Sequence, residues 1–204
     1  MKNKTALVTG DKGFIGRHLV PALAEEGYRV YGCDLKDGQD CRLLFRTCEE
    51  RFDLVVHLAA IVGGRETIEG NPLAVATNLS LDSEMFAWAV RTKQPRVFYF
   101  SSSAAYPESI QVPEHRCTES DIDFSRGLLM PDNTYGWAKL SGEVVGMAAR
   151  REGVQVHIVR PFSSYGPDQD PGYPIPDFMR RALRREDPFT LWGSGTQGRD
   201  YVWI

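Results

Sequence analysis

Apolar positions along this chain alternate between two periods. Short runs rich in β-branched residues at 5–9, 29–34, 54–58, 96–101 and 154–160 read as strands that are apolar almost throughout. Between them the apolar residues fall at helical spacing. In 14–26 the stripe is Ile15, Leu19, Leu23 and Ala24, and Gly27 suits the helix end. A short helix is expected over 43–51. Longer ones are expected over 72–92, with Pro72 in the first turn, and over 133–152. Strand–helix–strand repetition with near-continuous apolar strands predicts an α/β fold, a doubly wound parallel sheet covered on both faces. Such sheets take ligands beyond the carboxyl ends of their strands.

After Pro161 the texture changes. Pro167, Pro171, Pro174 and Pro176 stand in a stretch rich in Gly and Asp, which reads as loop. A basic amphipathic helix is expected over 176–187, its Arg180, Arg181, Arg184 and Arg185 forming a solvated face, and a strand over 201–204. The expected division is one domain over 1–160 and the start of a second lobe over 161–204, incomplete at Ile204.

Composition is that of a globular chain, 42% hydrophobic and 25% charged over 204 residues, with a net charge of −3. That balance offers no basic field for nucleic acid or an anionic membrane. No apolar run reaches the ~18 residues of a membrane span, and no signal peptide is visible, so a cytoplasmic protein is expected. Cys33, Cys41, Cys48 and Cys117 form no Cys-x-x-Cys pair and show no paired spacing with the histidines. Reduced thiols and no metal are the expectation.

Two motifs carry chemistry. Gly10-x-x-Gly13-x-x-Gly16 follows a strand and opens a helix. This pattern brings backbone N–H groups and a helix N-terminus up to a pyrophosphate. Asp34 ends the next strand, where its carboxylate can bind an adenosine ribose and repel a 2′-phosphate, so NAD is favoured over NADP. The second motif is Tyr135-Gly136-Trp137-Ala138-Lys139. Its tyrosine and lysine share one helix face, and the ammonium is expected to lower the phenol's pKa and make it a usable base. Ser101, Ser102 and Ser103 end the fourth strand, where a hydroxyl can hydrogen-bond an oxygen that becomes a carbonyl. Together the motifs point to hydride chemistry on a sugar. His57 reads as a packed strand residue, and the small Ala59 and Ala60 let the backbone approach a cofactor. Asp40 and Cys41 fall where adenine would lie. Arg160-Pro161-Phe162-Ser163 should flank a nicotinamide, and Arg199 is a candidate for bidentate contact with a diphosphate.

TGDKGFIG, HLAA, FSSSAAYP, YGWAK, RPFSSYGP and GRDY occur in an order that resembles the extended short-chain dehydrogenase/reductase family, specifically its NAD-dependent nucleotide-sugar epimerases and dehydratases. The resemblance covers nearly the whole chain and implies a Rossmann-type sheet with a C-terminal substrate-binding lobe. It implies Ser102 as the catalytic Ser/Thr, Tyr135 as the base, and Lys139 as its partner, which also holds the nicotinamide ribose. Gly10, Gly13, Phe14, Ile15, Gly16, Asp34, Asp40, Cys41, Leu58, Ala59, Ala60 and Asn78 match positions that hold NAD. Ser101, Pro161 and Phe162 join them at the strand ends. Ser102, Ser103, Ser163 and Arg199 are the expected contacts to a nucleotide-diphosphate sugar. The resemblance also implies a homodimer built on the helices over 72–92 and 133–152.

Departures narrow the reaction. Sugar 4,6-dehydratases carry Asp-Glu after the catalytic residue, where this chain has Ser103-Ala104. Relatives that are 3,5-epimerases place a Cys where Ala104 stands. Gly63-Gly64, Tyr106-Pro107 and Trp192-Gly193-Ser194-Gly195 nevertheless resemble the GDP-sugar subgroup. Ser163 stands where many relatives have a substrate-binding Asn. A reaction cannot proceed without its proton carrier, so the expected activity is C4 epimerisation of a nucleotide sugar through a transient 4-keto intermediate. The alternatives are a 4,6-dehydratase, a GDP-sugar 3,5-epimerase, a reductase, or a non-catalytic NAD-binding regulator.

Overall fold

A computed structural model of the chain describes residues 4–63, 68, 70–127, 129–191, 193–195 and 198–204. Gly64 and Trp192, which contribute to the GDP-sugar resemblance, lie outside the described residues. Strands β1 (Lys4–Thr9), β2 (Tyr28–Cys33), β3 (Leu54–His57), β4 (Arg96–Phe100) and β5 (Gln155–Val159) form one sheet, all neighbours parallel. Their order is β2-β1-β3-β4-β5. The chain leaves β1 toward β2 on one side and returns to β3 on the other, so a crevice opens at the carboxyl ends of β1 and β3.

The strands are largely apolar because both faces are covered. Leu7 of β1 joins Val55, Val97, Tyr99 and Val156 in one core, against Met85, Phe86 and Trp88 of helix α3 (Pro72–Arg91). Its neighbours Ala6 and Val8 turn to the opposite face with Leu54 and Val56, where Leu19 and Leu23 of α1 (Phe14–Glu25) cover them. Helix α4 (Asn133–Arg151) packs beside α3 and adds Ala149 to the first core. No helix among the described residues is long and apolar enough to cross a membrane. All four cysteines are free, and burial pushes the Cys33 and Cys41 thiols up to about 11 and about 12.

Three expectations shift. The short helix after β2, α2, runs over Cys41–Thr47 rather than 43–51. Asp40 caps it by accepting the Arg42 N–H at 2.9 Å, and the extended backbone of Cys48 ends it. The last helix, α5, runs over Pro174–Leu183, with Pro174 seated in its first turn. Its arginines are not a uniformly solvated face. Arg181 is clamped by Glu186 at 2.8 Å and lies 4.4 Å over the Phe189 ring. The stretch read as loop contains β6 (Ser163–Tyr165), which pairs in parallel with β7 (Tyr201–Trp203).

Trp88 is 1% exposed, and its Nε1–H donates to the Cys48 carbonyl at 2.8 Å. It therefore joins α3 to the end of α2 as well as filling the core. Trp88→Ala should cost about 3–5 kcal/mol. The measurement is a lowered denaturant midpoint with an unchanged m value.

Candidate active site

The turn after β1 is built for close approach. Gly10 has φ +73°, and a Cβ there would lie 2.7 Å from the Ala59 nitrogen. A Cβ at Gly16 would lie 2.4 Å from the Gly10 carbonyl oxygen. The turn thus sits on the segment after β3, and α1 begins directly against it. Gly13 caps α1 with no side-chain bond, and no acidic residue stands in the first turn that opens with Phe14 and Ile15. The N–H groups at this helix end remain available to an anion. Asp34, at the end of β2, accepts the Lys12 N–H at 3.0 Å and the Lys36 N–H at 2.8 Å, so the acid is locked onto the glycine turn. Beside it lies Asp11, whose Oδ1 is buried without a hydrogen-bond partner. Burial and the nearby Asp34 push the Asp11 carboxyl up. Sequence spacing held no signal for Asp11, because its placement depends on β2 passing underneath.

The residues after β3 are held from two sides. Leu58 N–H donates to the Thr9 carbonyl at 3.0 Å, and Ala59 N–H to Thr9 Oγ1 at 3.3 Å. Ala60 follows, half-buried. Asn78 of α3 binds both the N–H and the carbonyl of Ile61, at 2.7 and 3.0 Å, so its amide is committed to the backbone. Asp40 is likewise committed, to the Arg42 guanidinium at 2.6 Å, and Cys41 packs in the core.

Ser102 leaves β4 in extended conformation, and its Oγ accepts the Ala104 N–H at 3.1 Å. Helix α4 arrives very close to this segment. A Cβ at Gly136 would lie 2.3 Å from the Ala104 carbonyl oxygen, which also accepts the Asp132 N–H at 3.2 Å. That closeness sets the half-buried Tyr135 beside the Ser102 side chain, which acts to lower its phenol. Lys139, one turn along, is 2% exposed with Nζ 5.0 Å from the centre of the Tyr99 ring.

The electrostatics correct one expectation. Burial pushes the Tyr135 phenol up to about 12, the Ser102 hydrogen bond opposes the rise, and the negative charge of Asp82 adds to it. The ammonium of Lys139 helps to hold the Asp82 carboxyl below the usual range. The phenol ends above its ordinary value, where a lowering was expected.

The remaining predicted residues frame the site at different distances. Ser101 Oγ donates to Glu143 Oε1 at 2.5 Å, and Glu143 is held by Arg160 through two bonds of 2.8 and 2.7 Å, so Ser101 points into a buried network. Ser103 N–H donates to the Pro161 carbonyl at 3.1 Å, and Phe162 stacks on Tyr106 at 6.2 Å. Ser163 begins β6 opposite Tyr201, and Arg199 is exposed just before β7. One neighbour escaped the sequence. Tyr173, which precedes α5, has its phenol raised by burial and by nearby Tyr135. Among the described residues, His115, Cys117 and Asp121 group their ligand atoms within 4.8 Å of one another. Asp121 there caps a short turn and pairs with His115 at 3.0 Å, a local structural use.

A glycine turn, a strand-end acid, and a serine–tyrosine pair at the carboxyl edge of a parallel sheet are thus in place. A match to the NAD dependent epimerase/dehydratase family runs over residues 6–204. The chain belongs to this family. The dTDP-4-dehydro-6-deoxy-D-allose reductase of Streptomyces sp is 30% identical, over 98% of this chain and 69% of that protein. The GDP-mannose 3,5-epimerase of Arabidopsis thaliana is 28% identical, over 100% of this chain and 59% of that protein. The crystal structure of UDP-glucuronic acid 4-epimerase from Bacillus cereus, in complex with UDP-glucuronic acid and NAD, superposes with a TM-score of 0.78. It is 28% identical, over 98% of this chain and 69% of that one. Family members are thus NAD-dependent enzymes of nucleotide-sugar chemistry, with differing reactions.

The residues fit NAD. The uncapped start of α1, the space kept by Gly10 and Gly16, and the paired acids Asp34 and Asp11 offer the donors and acceptors that a pyrophosphate and a ribose need. Gly16→Ala should force the turn apart and weaken NAD binding at least tenfold, about 1.4 kcal/mol, as measured by isothermal titration calorimetry.

Proposed function

We propose that this protein is an NAD-dependent nucleotide-sugar 4-epimerase. The observation that carries the reading is the placement of Tyr135 against the Ser102–Ala104 segment, where the chain carries a methyl group at Ala104 and no further acid, base or thiol. Tyr135 exchanges a proton with the C4 hydroxyl of the sugar. Ser102 stabilises the oxygen at C4 as it becomes a carbonyl. NAD, when bound, supplies a reversible hydride acceptor. Lys139 contributes a buried positive charge one turn away from the phenol. The 4-keto sugar then turns over, and the same Tyr135 returns the proton on the opposite stereochemical outcome. No external reductant is consumed.

Residues 161–204 fit as the start of the substrate-binding lobe, with Ser163 and Arg199 as its contacts to a nucleotide diphosphate. The exposed Leu79 of α3 and Val144 of α4 support pairing of these helices with those of a second copy, as a homodimer. A cytoplasmic location is consistent with the free thiols. The likeness to the Streptomyces reductase favours a second reading, reduction of a 4-keto sugar by the same serine, tyrosine and lysine.

A panel of UDP-, GDP- and dTDP-sugars incubated with protein and NAD, with a nucleotide 4-keto sugar plus NADH as a separate arm, separates these outcomes. A C4 epimer with no net NADH is expected. Stoichiometric NADH consumption on a 4-keto sugar would move the assignment to the reductase, a 4-keto-6-deoxy product to a dehydratase, and no product at all to a non-catalytic role. Tyr135→Phe should lose on the order of 10² to 10⁴ in kcat while NAD affinity holds. Unchanged turnover would remove Tyr135 from the chemistry.

A further inference from the structure

Ser102 and Tyr135 come from different elements, and the contact at Gly136 is one tie between them. A second tie is a buried ion pair that the proposed chemistry leaves unused. Glu143 stands on α4 eight residues after Tyr135, roughly 12 Å along the helix. It is 1% exposed. Ser101, directly before Ser102, is also buried and donates its hydroxyl to Glu143 Oε1 at 2.5 Å. Arg160, which follows β5, grips both oxygens of the same carboxylate. Its Nε donates to Oε1 at 2.8 Å and its Nη2 to Oε2 at 2.7 Å. The guanidinium then reaches the far end of the serine segment. It lies 5.3 Å over the ring of the buried Tyr106, and Nη1 donates to the Glu119 carbonyl at 3.3 Å.

One ion pair therefore touches the chain on both sides of Ser102, at Ser101 through Glu143 and at Tyr106 through Arg160. Between those points the chain makes a tight turn. Ala105 N–H donates to the Ser102 carbonyl and Tyr106 N–H to the Ser103 carbonyl, each at 3.1 Å. Backbone bonds tie the same segment to the end of β5, from Ser101 N–H to Val159 at 2.8 Å and from Ser103 N–H to Pro161 at 3.1 Å. The ion pair joins this platform to α4, the helix that carries Tyr135.

Stability alone does not call for charges here. Taking both out of water costs about as much as their attraction returns, and well-packed apolar residues of similar volume often serve as well. A guanidinium on a carboxylate supplies what apolar packing lacks. Two parallel N–H···O bonds fix both the separation and the angle of the partners. The carboxylate keeps one more lone pair for Ser101, so the serine segment is registered to the same fixed point.

We propose that Glu143 and Arg160 are positioning residues that hold Ser102 in register with Tyr135. The proposal takes Ser102 and Tyr135 as the reacting pair of the reading above. The register itself is observable without substrate.

The test is NMR at fixed pH on protein carrying ring-labelled tyrosine, with the Tyr135 resonance assigned from Tyr135→Phe. Ser102→Ala removes the hydroxyl beside the phenol and sets the reference displacement of that resonance. Ser101→Ala keeps the ion pair and removes only its bond to the serine segment. It should displace the Tyr135 resonance in the same direction as Ser102→Ala and by a comparable amount. Glu143→Gln and Arg160→Lys, which lose the charge and the fork respectively, should do the same. In a Ser102→Ala background none of these changes should displace it further, because the effect travels through Ser102. A purely structural pair would lower the melting temperature and leave the resonance in place, or displace it equally with and without the Ser102 hydroxyl. Either result overturns the proposal, as does a Tyr135 resonance that Ser102→Ala does not move. Should the Glu143 and Arg160 variants fail to fold, Ser101→Ala decides by the same criterion. No step uses turnover, so a silent sugar panel would count against the proposed function and leave this inference standing.

Discussion

The distance between α4 and what lies beneath it governs the geometry of the site. Three glycines on that helix stand where a side chain could not. A Cβ at Gly136 would strike the Ala104 carbonyl at 2.3 Å, at Gly142 the Tyr99 hydroxyl at 2.0 Å, and at Gly146 the Phe86 ring at 2.9 Å. The helix therefore rests on the end of β4 and on α3 with backbone-to-neighbour contact along much of its length. Tyr135 and Lys139 inherit their positions from this seating. A larger residue at any of the three points would lift the helix, and catalytic groups displaced by about 1 Å can lose 10²-fold in rate. Glycine in a helix interior costs roughly 0.5–1 kcal/mol relative to alanine. The close contacts explain why such residues are found there at all.

Local patterns in the chain told most of the fold and the outer shape of the site. The five parallel strands and the helices α1, α3 and α4 were legible because their apolar periods are long and their ends carry Gly27, Pro72 and strand-end polar residues. The rest depends on remote partners or on a side-chain cap. Helix α2 begins at Cys41 because the Asp40 side chain captures the Arg42 N–H, and it stops at Cys48 because that backbone is extended. Strand β6 escaped notice because three residues among prolines acquire strand geometry only by pairing with Tyr201–Trp203. Asp11, Asp82 and Tyr173 were illegible for the same reason, since each owes its character to a neighbour from another element.

Charge was the least legible property. A lysine four residues after a tyrosine on one helix face suggests a pair, and spacing alone makes the ammonium the phenol's obvious partner. In the fold a buried acid, Asp82, arrives from α3 and lies in the field of that lysine. Low dielectric and burial then decide the ranking. The phenol is raised first by its own burial, with Ser102 opposing the rise and the Asp82 charge adding to it. Spacing in one dimension counts the charges on a face but omits those that arrive from the opposite side.

The relatives carry out different reactions on a shared frame, so what separates them must lie in the few groups that differ around the common oxidation step. The segment Ser102-Ser103-Ala104 is where such a difference would act. Its backbone is fully engaged: Ser102 Oγ holds the Ala104 N–H, Ser103 N–H holds Pro161, and the Ala104 carbonyl is pressed against α4. Only the side chains at 103 and 104 are left to vary without disturbing the seat of Tyr135. Here they are a hydroxyl and a methyl. Neither can take a proton from carbon near neutral pH, because an unperturbed hydroxyl is far too weak a base and a methyl has no lone pair. Proton abstraction beyond C4 would then need a carrier from another part of the molecule. Among the described residues that neighbour Tyr135, Tyr173 carries a phenol that burial raises just as it raises that of Tyr135. No carboxylate or thiol stands in the segment 102–104, which supports the epimerase reading proposed above.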